Sequence, residues 1–369
     1  MVHRLTREEA RRIAVRAQLL AEPRPTEVLD VLRHLTLVQY DVTTIVALSA
    51  DLVLRSRIGD AYTRDDLDDL LVSRDVVEMR VMLRPAEDVA LYRAEMEAWP
   101  HTGPPRPWKA EIEEWVVAND VCREDILQTL RSEGPLPARD LPDTCAVPWR
   151  SSGWTHGKNV GKLLDFMAQR GEVAVSVREG RDALWDLAAR VYPDVPALPL
   201  EEAYVERARR ALVAAGIERP QRFDGYGEVA EVGEVGEQAV IEGVRGRWRV
   251  DPALLDLGPR QPFDGRVVLL SPLDRLVFDR RRTTEILDYE YLLEMYKPAA
   301  RRRWGAWAMP ILVGDRLVGK LDATSDRASG ILRVHAVHED QPFPPATRDA
   351  VEAEVRALAD WLDLYPELP

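Results

Sequence analysis

Cysteine and long apolar runs are scarce in this sequence. Only Cys122 and Cys145 occur among 369 residues, and their spacing matches neither a CxxC pair nor a Cys/His ligand set, so neither a disulfide framework nor a zinc site is indicated. No apolar run is long enough to span a membrane, and the opening stretch MVHRLTREEARR lacks the apolar core of a secretory signal. We therefore expect a cytoplasmic protein with no metal, no cofactor and no membrane association.

A positive excess of charge is also lacking. The chain has 50 Lys and Arg against 63 Asp and Glu, a formal net charge of -13. This balance argues against indiscriminate phosphate binding over the whole surface, although it permits a local basic face. The 46% apolar and 31% charged residues are typical of a globular protein, and the length suffices for two or three modules with buried cores.

The apolar spacing predicts an α+β fold. Amphipathic helices are expected where apolar residues recur at helical intervals, and strands where they alternate or cluster between turn residues. The helices are predicted at residues 6–20, 26–35, 63–71, 123–131, 155–170, 201–216 and 345–364. One hairpin is predicted at residues 172–187, with its turn at Glu179-Gly180, and a second is predicted from the pair 239–243 and 247–250. Further strands are predicted at residues 267–270, 307–313, 316–322 and 331–337, with a turn at Gly314-Asp315.

Residues 108–195 have the element order of a winged helix, in which three helices precede a β-hairpin. In that arrangement the helix at 155–170 would enter a DNA groove, and the hairpin would be the wing. Basic and amide side chains at the start of this helix and around the hairpin turn are candidate phosphate contacts: Lys158, Asn159, Lys162, Arg178 and Arg181. The alternative is a winged helix that serves only for packing or protein binding.

Breaks in the pattern divide the chain into four predicted modules. Four prolines and a glycine fall within residues 100–107, which marks the end of a first module at residues 1–100. The winged helix at 108–195 is followed by a third winged-helix-like module at 196–258, which includes a repeated Gly-Glu-Val unit predicted to be a helix-like acidic spacer. Residues 259–369 form a β-domain that a terminal helix closes.

The stretch LVQYDVTTIVALSADLVLRSR places an amide, Gln39, and a carboxylate, Asp41, two residues apart. Side chains at this spacing project to the same side of an extended segment but diverge on a helix. The surrounding β-branched residues favour a non-helical backbone, so the two side chains are a candidate catalytic pair. The alternative is structural: Gln39 caps a turn and Asp41 is the N-cap of a helix that begins near Val42.

Three stretches resemble the winged-helix DNA glycosylases that repair interstrand crosslinks, the YcaQ/AlkZ-like family of bacterial proteins. One is the Gln39 to Arg57 segment, similar to the family's Gln-x-Asp motif and terminal Ser-Arg. Another, GWTHGKNVGKLLDFMAQRGEVAVSVREG, resembles its recognition helix and wing. The third is the C-terminal signature beginning SPLDRLVFDRRRTTEILDYEYLLEMYKPAARRRWGAWAMP.

The resemblance implies a C-shaped protein of tandem winged helices with a β-barrel-like C-terminal region. It implies a metal-independent DNA glycosylase that removes N7-alkylated guanines and unhooks crosslinks, with Asp41 catalytic and Gln39 orienting. We expect a nucleoid-associated monomer that binds double-stranded DNA with alkylated purines, with Arg55, Arg57, Arg280, Arg281 and Arg282 as further DNA contacts. The alternatives are a non-catalytic winged-helix DNA-binding protein, such as a regulator or lesion binder, and a protein-interaction scaffold.

Overall fold

The computed structural model describes residues 2–101, 107–151, 153, 156–220, 232–257 and 262–369. The chain divides into two compact units. Unit 1 combines Met1–Leu67 with Arg207–Pro369, and unit 2 is Asp68–Glu206. No helix among the described residues has the length and apolar character needed to cross a membrane.

The first part of unit 1 alternates short strands with helices. Helix α1 begins with a capping box, in which Thr6 and Glu9 each accept a hydrogen bond from the other's backbone N–H. The elements are β1 (Val2–Leu5), α1 (Arg7–Ala17), α2 (Val28–Leu35), β2 (Val38–Gln39), α3 (Ser49–Ile58) and α4 (Arg64–Ser73), the last of which ends in unit 2.

Unit 2 contains antiparallel strands and short helices. Its elements are β3 (Val76–Met79), β4 (Met82–Pro85), a 3-10 helix (Ala86–Leu91), α5 (Arg93–Glu97), α6 (Pro107–Ala118), α7 (Asp120–Glu133), β5 (Leu136–Pro137), a second 3-10 helix (Ala138–Asp140), α8 (Asn159–Gln169), β6 (Val173–Glu179), β7 (Asp182–Leu187) and α9 (Ala188–Val191). Its strands lie in the order β4-β3-β6-β7-β5. The hairpin β6–β7 is thus flanked by β3 on one side and by β5 on the other.

Helix α10 (Leu200–Ala215) returns the chain to unit 1. There follow β8 (Ile217–Glu218), β9 (Glu237–Ile241), β10 (Trp248–Val250), α11 (Pro252–Leu257), β11 (Val267–Leu269), α12 (Arg275–Phe278), α13 (Arg280–Leu287), a 3-10 helix (Ala299–Arg301), β12 (Met309–Val313), β13 (Arg316–Asp326), β14 (Ile331–Glu339), α14 (Pro345–Trp361) and β15 (Tyr365–Glu367). Two sheets result, ordered β1-β9-β10-β8 and β11-β12-β13-β14-β15.

Two large apolar cores lie in unit 1. Trp248 is fully buried in the core that α1 and the β9–β10 pair share. Trp307 is fully buried in the core between the five-stranded sheet and α14, which also contains Val46 and Ala47 from the segment after β2. This second core therefore anchors the chain that follows Gln39 and Asp41.

The mixed helix and sheet content confirms the predicted α+β class, and the predicted helices and strands have observed counterparts. The helix expected at 155–170 is observed over Asn159–Gln169, because residues 156 and 157 form a turn and Lys158 is at the N-cap position; Thr155 lies outside the described residues. Residues 102–106 of the proline-rich stretch and residues 227–231 of the Gly-Glu-Val repeat also lie outside them. The rest of the repeat is a turn followed by β9 and is not helix-like, because β9 pairs with β1 and β10. The division into four modules stays a prediction.

Candidate active site

The backbone around Gln39 and Asp41 is extended. Burial alternates along the chain, with Val38 and Tyr40 buried and Gln39 and Asp41 half-buried. Alternation with a period of two is the pattern of a strand, so the amide and the carboxylate lie on the same, less buried side. The non-helical backbone that the sequence predicted here is confirmed.

The two side chains make few hydrogen bonds within the protein. Asp41 Oδ1 accepts one from the backbone N–H of Thr43 at 2.8 Å, and no described residue bonds its Oδ2. Gln39 Oε1 is buried and has no hydrogen-bond partner in the part of the chain that the structure describes. A carboxylate oxygen and a carbonyl oxygen are thus left for another group.

Asp41 caps a turn and not a helix. Residues 42–48 are irregular, and the next helix, α3, begins only at Ser49 with Leu48 at the N-cap position. The interpretation of Asp41 as the N-cap of a helix that begins near Val42 is therefore wrong. The β-branched run after Asp41 explains the difference, because such residues lose side-chain freedom in a helix.

Tyr40, the buried residue between the pair, is held by a charged network. Arg64 Nη2 donates to the Tyr40 hydroxyl at 3.0 Å, and Arg64 Nη1 lies 2.9 Å from Asp51 Oδ1. The Tyr62 hydroxyl donates to the same oxygen at 2.7 Å. Asp51 is buried, and these contacts compensate its charge. Sequence reasoning missed this network because its partners have no recognisable spacing.

The segment after Asp41 is fixed by strand β13. Ser325 donates from its backbone N–H to the Ile45 carbonyl at 2.9 Å and from its hydroxyl to the Val46 carbonyl at 2.7 Å. At the start of α3, the hydroxyls of Ser49 and Ser271 are 2.9 Å apart. Together with the burial of Val46, these contacts hold the backbone that carries Asp41.

The segment before Gln39 is fixed by Arg275. Its guanidinium donates to the Leu35 carbonyl and to Thr36 Oγ1 at the bend where Thr36 adopts a positive φ of 66°. Nearby His34 contacts the Ala17 carbonyl at 2.7 Å, and burial lowers the pKa of its imidazole. The lowered pKa favours the neutral imidazole, so His34 adds little positive charge to this part of unit 1.

The sequence matches the AlkZ-like DNA glycosylase family over residues 32–361. The chain belongs to this family. Among solved structures it is similar to Streptomyces sahachiroi DNA glycosylase AlkZ, with a TM-score of 0.60 and 18% sequence identity, over 99% of this chain and 100% of that one. At this identity the likeness establishes a shared fold.

The five arginines of unit 1 that the sequence suggested as DNA contacts in this AlkZ-like chain are either buried or exposed. Arg57 is fully buried and forms a two-pronged ion pair with Asp274. Arg55 is buried between Asp60 and Glu354, each 2.8 Å away. Arg282 is likewise buried and donates to backbone carbonyls, whereas Arg280 and Arg281 are exposed at the start of α13.

The candidate contacts of unit 2 divide in the same way. Lys158 and Arg181 are exposed, at the start of α8 and at the β6–β7 turn. The ammonium of Lys162 lies over the Trp149 and Phe166 rings, and Arg178 forms a two-pronged pair with Glu78 at 2.7 and 2.5 Å. The Asn159 amide donates to Asp143 and accepts from the Trp149 backbone. The last three side chains are engaged in contacts within the unit.

Proposed function

We propose that this AlkZ-like protein hydrolyses the N-glycosidic bond of cationic N7-alkylguanine in double-stranded DNA. The observation that supports this is the shared projection of Gln39 and Asp41 from one extended segment, with a carbonyl oxygen of one and a carboxylate oxygen of the other unpaired among the described residues. The reaction needs these two groups, a carboxylate and a side chain that orients water or sugar.

The substrate class follows from the chemistry of the pair. An N7-alkylguanine is already cationic, so it leaves as a neutral base without a strong general acid. The remaining tasks are stabilisation of the developing oxocarbenium ion and placement of the attacking water. The Asp41 carboxylate performs the first by charge and the second as a general base. Gln39 holds the water or the deoxyribose by hydrogen bonds. The step requires no metal.

Crosslinked guanine extends the substrate range. A base tethered to both strands cannot rotate freely into an enclosed pocket, so an enzyme that unhooks crosslinks has to act on a largely intact duplex. Gln39 and Asp41 are only half-buried, which is compatible with access of such a substrate from solvent. Crosslink unhooking is thus part of the proposed activity.

We also infer that unit 2 contains a winged helix that binds DNA. Helix α7, strand β5, a 3-10 helix, α8 and the hairpin β6–β7 follow in order, and β5 pairs antiparallel with β7 at Leu136 and Trp185. This order of elements supports a winged helix in which α8 would be the recognition helix. Among the candidate DNA contacts, we propose that the exposed Lys158 and Arg181 of unit 2 and the exposed Arg280 and Arg281 of unit 1 contact phosphates.

We further propose that the protein consists of tandem modules at the predicted boundaries, that it is a monomer, and that it is located with the chromosomal DNA in the cytoplasm.

We assign structural roles to the buried Arg55, Arg57 and Arg282. Moving a paired guanidinium away from its carboxylate to reach DNA would leave a buried charge uncompensated.

The test is release of 7-methylguanine from methylated duplex DNA by the purified protein with a chelator present. The unmethylated duplex is the matched substrate control. Release from the methylated duplex alone is expected, and a nitrogen-mustard crosslinked duplex should also be unhooked. DNA binding without base release from either substrate would instead make the protein a non-catalytic DNA binder.

A further inference from the structure

A second cluster of chemically active side chains lies in unit 2. The Sγ atoms of Cys122 and Cys145 and a carboxylate oxygen of Asp143 all lie within 4.8 Å of one another. Cys122 comes from α7 and is fully buried, whereas Asp143 is exposed and Cys145 half-buried in the segment before α8. The sequence spacing hides the cluster, since 22 residues separate the two cysteines.

The segment that carries Asp143 and Cys145 is held in place by contacts to α7 and to its N-cap residue, Asn119. The Cys122 thiol donates to the Pro142 carbonyl at 3.6 Å, and the Thr144 hydroxyl donates to Asp125 of α7 at 2.6 Å. Further along, the Val147 backbone N–H donates to the side chain of Asn119 at 3.0 Å. The donor atoms are thus brought together by a structured loop, which reduces the entropic cost of binding a ligand there.

A second layer of hydrogen bonds orients the carboxylate. The Asn159 amide donates to the two oxygens of Asp143 at 3.3 and 3.1 Å, and the Cys145 backbone N–H lies 3.4 Å from Asp143 Oδ1. Supporting bonds of this kind are characteristic of metal ligands, whose own orientation has to be fixed. Because Asn159 opens α8, the cluster is also linked to the start of that helix.

We propose that Cys122, Asp143 and Cys145 form a binding site for a thiophilic divalent cation, of which Zn²⁺ is the best match. Two thiolates and a carboxylate are among the donors that Zn²⁺ prefers, and with metal–ligand distances of about 2.0–2.3 Å the donor atoms have to close by roughly 1 Å. Water fills the fourth position, which the exposure of Asp143 permits. Each thiol loses its proton to solvent as its sulfur binds the ion.

The bound ion would link α7 to the segment that carries Asp143 and Cys145, which Asn159 at the start of α8 also contacts. It is a structural link, separate from the metal-free hydrolysis proposed for Gln39 and Asp41, and the inference does not depend on that function. The apolar core around Cys122 includes Ile126, Leu130 and Leu163, so unit 2 has a packed interior without the ion. We therefore expect metal removal to lower the melting temperature without unfolding the protein.

The test uses the full chain, kept reduced with a phosphine, and measures bound metal after dialysis against Zn²⁺. Wild type should retain about one equivalent, and Asp143→Asn should bind at least tenfold more weakly. Cys145→Ser should lose the site. The matched control is Asp140→Asn, which removes an exposed carboxylate from the same segment and should bind as wild type does.

Substitution of Co²⁺ identifies the ligands directly, because thiolate ligation produces a sulfur-to-cobalt charge-transfer absorption that surface carboxylates and histidines do not. The band should appear in wild type and weaken strongly in Cys145→Ser. Its absence from reduced wild type, or an unchanged band in Cys145→Ser, would overturn the proposal. Circular dichroism of each variant verifies that the fold is intact, and Asp143→Asn keeps the test valid if Cys145→Ser misfolds.

Discussion

At the scale of the residue, the Arg57–Asp274 pair shows what a buried charge requires. Both side chains are fully buried, and the Arg57 guanidinium also donates to the Gln18 carbonyl at 3.0 Å and to Ser56 Oγ at 2.8 Å. Asp274 Oδ1 in turn accepts from the Leu276 backbone N–H at 2.9 Å and caps α12. Loss of either partner would leave an uncompensated buried charge.

We predict that Asp274→Asn lowers the free energy of unfolding by about 3–5 kcal/mol, measured by urea denaturation. The asparagine preserves the cap of α12, so the loss reports the charge on the carboxylate. The matched control is Asp60→Asn, whose exposed carboxylate pairs with Arg55, and its effect should stay below about 1 kcal/mol. Equal losses in the two variants would contradict this account.

The types and spacing of Gln39 and Asp41 predicted that the two side chains lie on one side of the chain. Residue types did not predict that Arg55, Arg57 and Arg282 are buried. The period-two projection of neighbouring side chains is a local property, so it can be read from the sequence. Arg57, by contrast, meets a partner 217 residues away, and nothing in its own neighbourhood indicates that contact. Whether an arginine has a structural role or is available to bind DNA thus depends on partners that are distant in the sequence.

At the scale of the element, strand β13 supports the segment that follows Asp41. The Ser325 hydroxyl and backbone N–H bond two consecutive carbonyls of that segment, those of Val46 and Ile45. Catalytic groups need a fixed geometry, because small displacements reduce the rate disproportionately. In the hydrolysis proposed above, the hydroxyl of Ser325 would act as a positioning group that touches no reacting atom.

Ser325→Ala should lower the rate of base release by up to roughly tenfold, the scale of one lost hydrogen bond of about 1 kcal/mol. The backbone bond to Ile45 stays, so stability and DNA affinity should change little. Single-turnover kinetics measures the rate, with Ser132→Ala on α7 as the control that removes an exposed hydroxyl elsewhere. A wild-type rate in Ser325→Ala would exclude the positioning role.

The hairpin β3–β4 stores backbone strain in its turn. Arg80 and Val81 occupy its two central positions with φ of 53° and 58°, a conformation that a β-branched residue rarely adopts. Turns of this kind favour Asn-Gly, and the Arg-Val sequence carries no such signal. The sequence therefore predicted the β6–β7 hairpin, which turns at Gly180, and not this one.

Val81→Gly should raise the free energy of unfolding by about 1 kcal/mol, since glycine adopts a positive φ without steric cost. Val177→Gly in β6 is the matched control, because Val177 is also 51% exposed but lies in a strand, beside a register shift, without a positive φ. The control should lose stability. If both variants lose stability in urea denaturation, the turn is not strained.

Other elements escaped sequence reasoning for different physical reasons. Strand β1 depends on β9, because Val2 pairs with Gln238 across most of the chain length. In α3 every residue is buried, so the helix has no amphipathic pattern that would reveal its period. Helix α1, with its capping box and apolar stripe, was predicted because both signals are local.

At the scale of the whole molecule, the net charge of -13 restricts DNA binding to local basic surfaces. The exposed candidates Lys158 and Arg181 belong to one module, the inferred winged helix of unit 2. Neutralising a phosphate releases counterions, so the number of contacts is reported by the slope of log affinity against log salt.

The double variant Lys158→Ala/Arg181→Ala should reduce the magnitude of this slope by about two, one for each lost phosphate contact. The same loss is expected with any duplex sequence, because phosphate contacts carry no sequence information. Arg356→Ala on α14 removes one exposed positive charge and is the control for each of the two single substitutions. An unchanged slope in the double variant would remove the winged helix from the DNA interface.

The proposed role of Asp41 as the catalytic carboxylate is tested by comparing 7-methylguanine release by wild type and Asp41→Asn. The variant preserves the turn bond to Thr43, so we expect a loss of roughly 10²-fold or more in the rate with DNA affinity nearly unchanged. Asp30→Asn, which removes an exposed carboxylate of α2, should match wild type. Equal rates for wild type and Asp41→Asn would contradict the account.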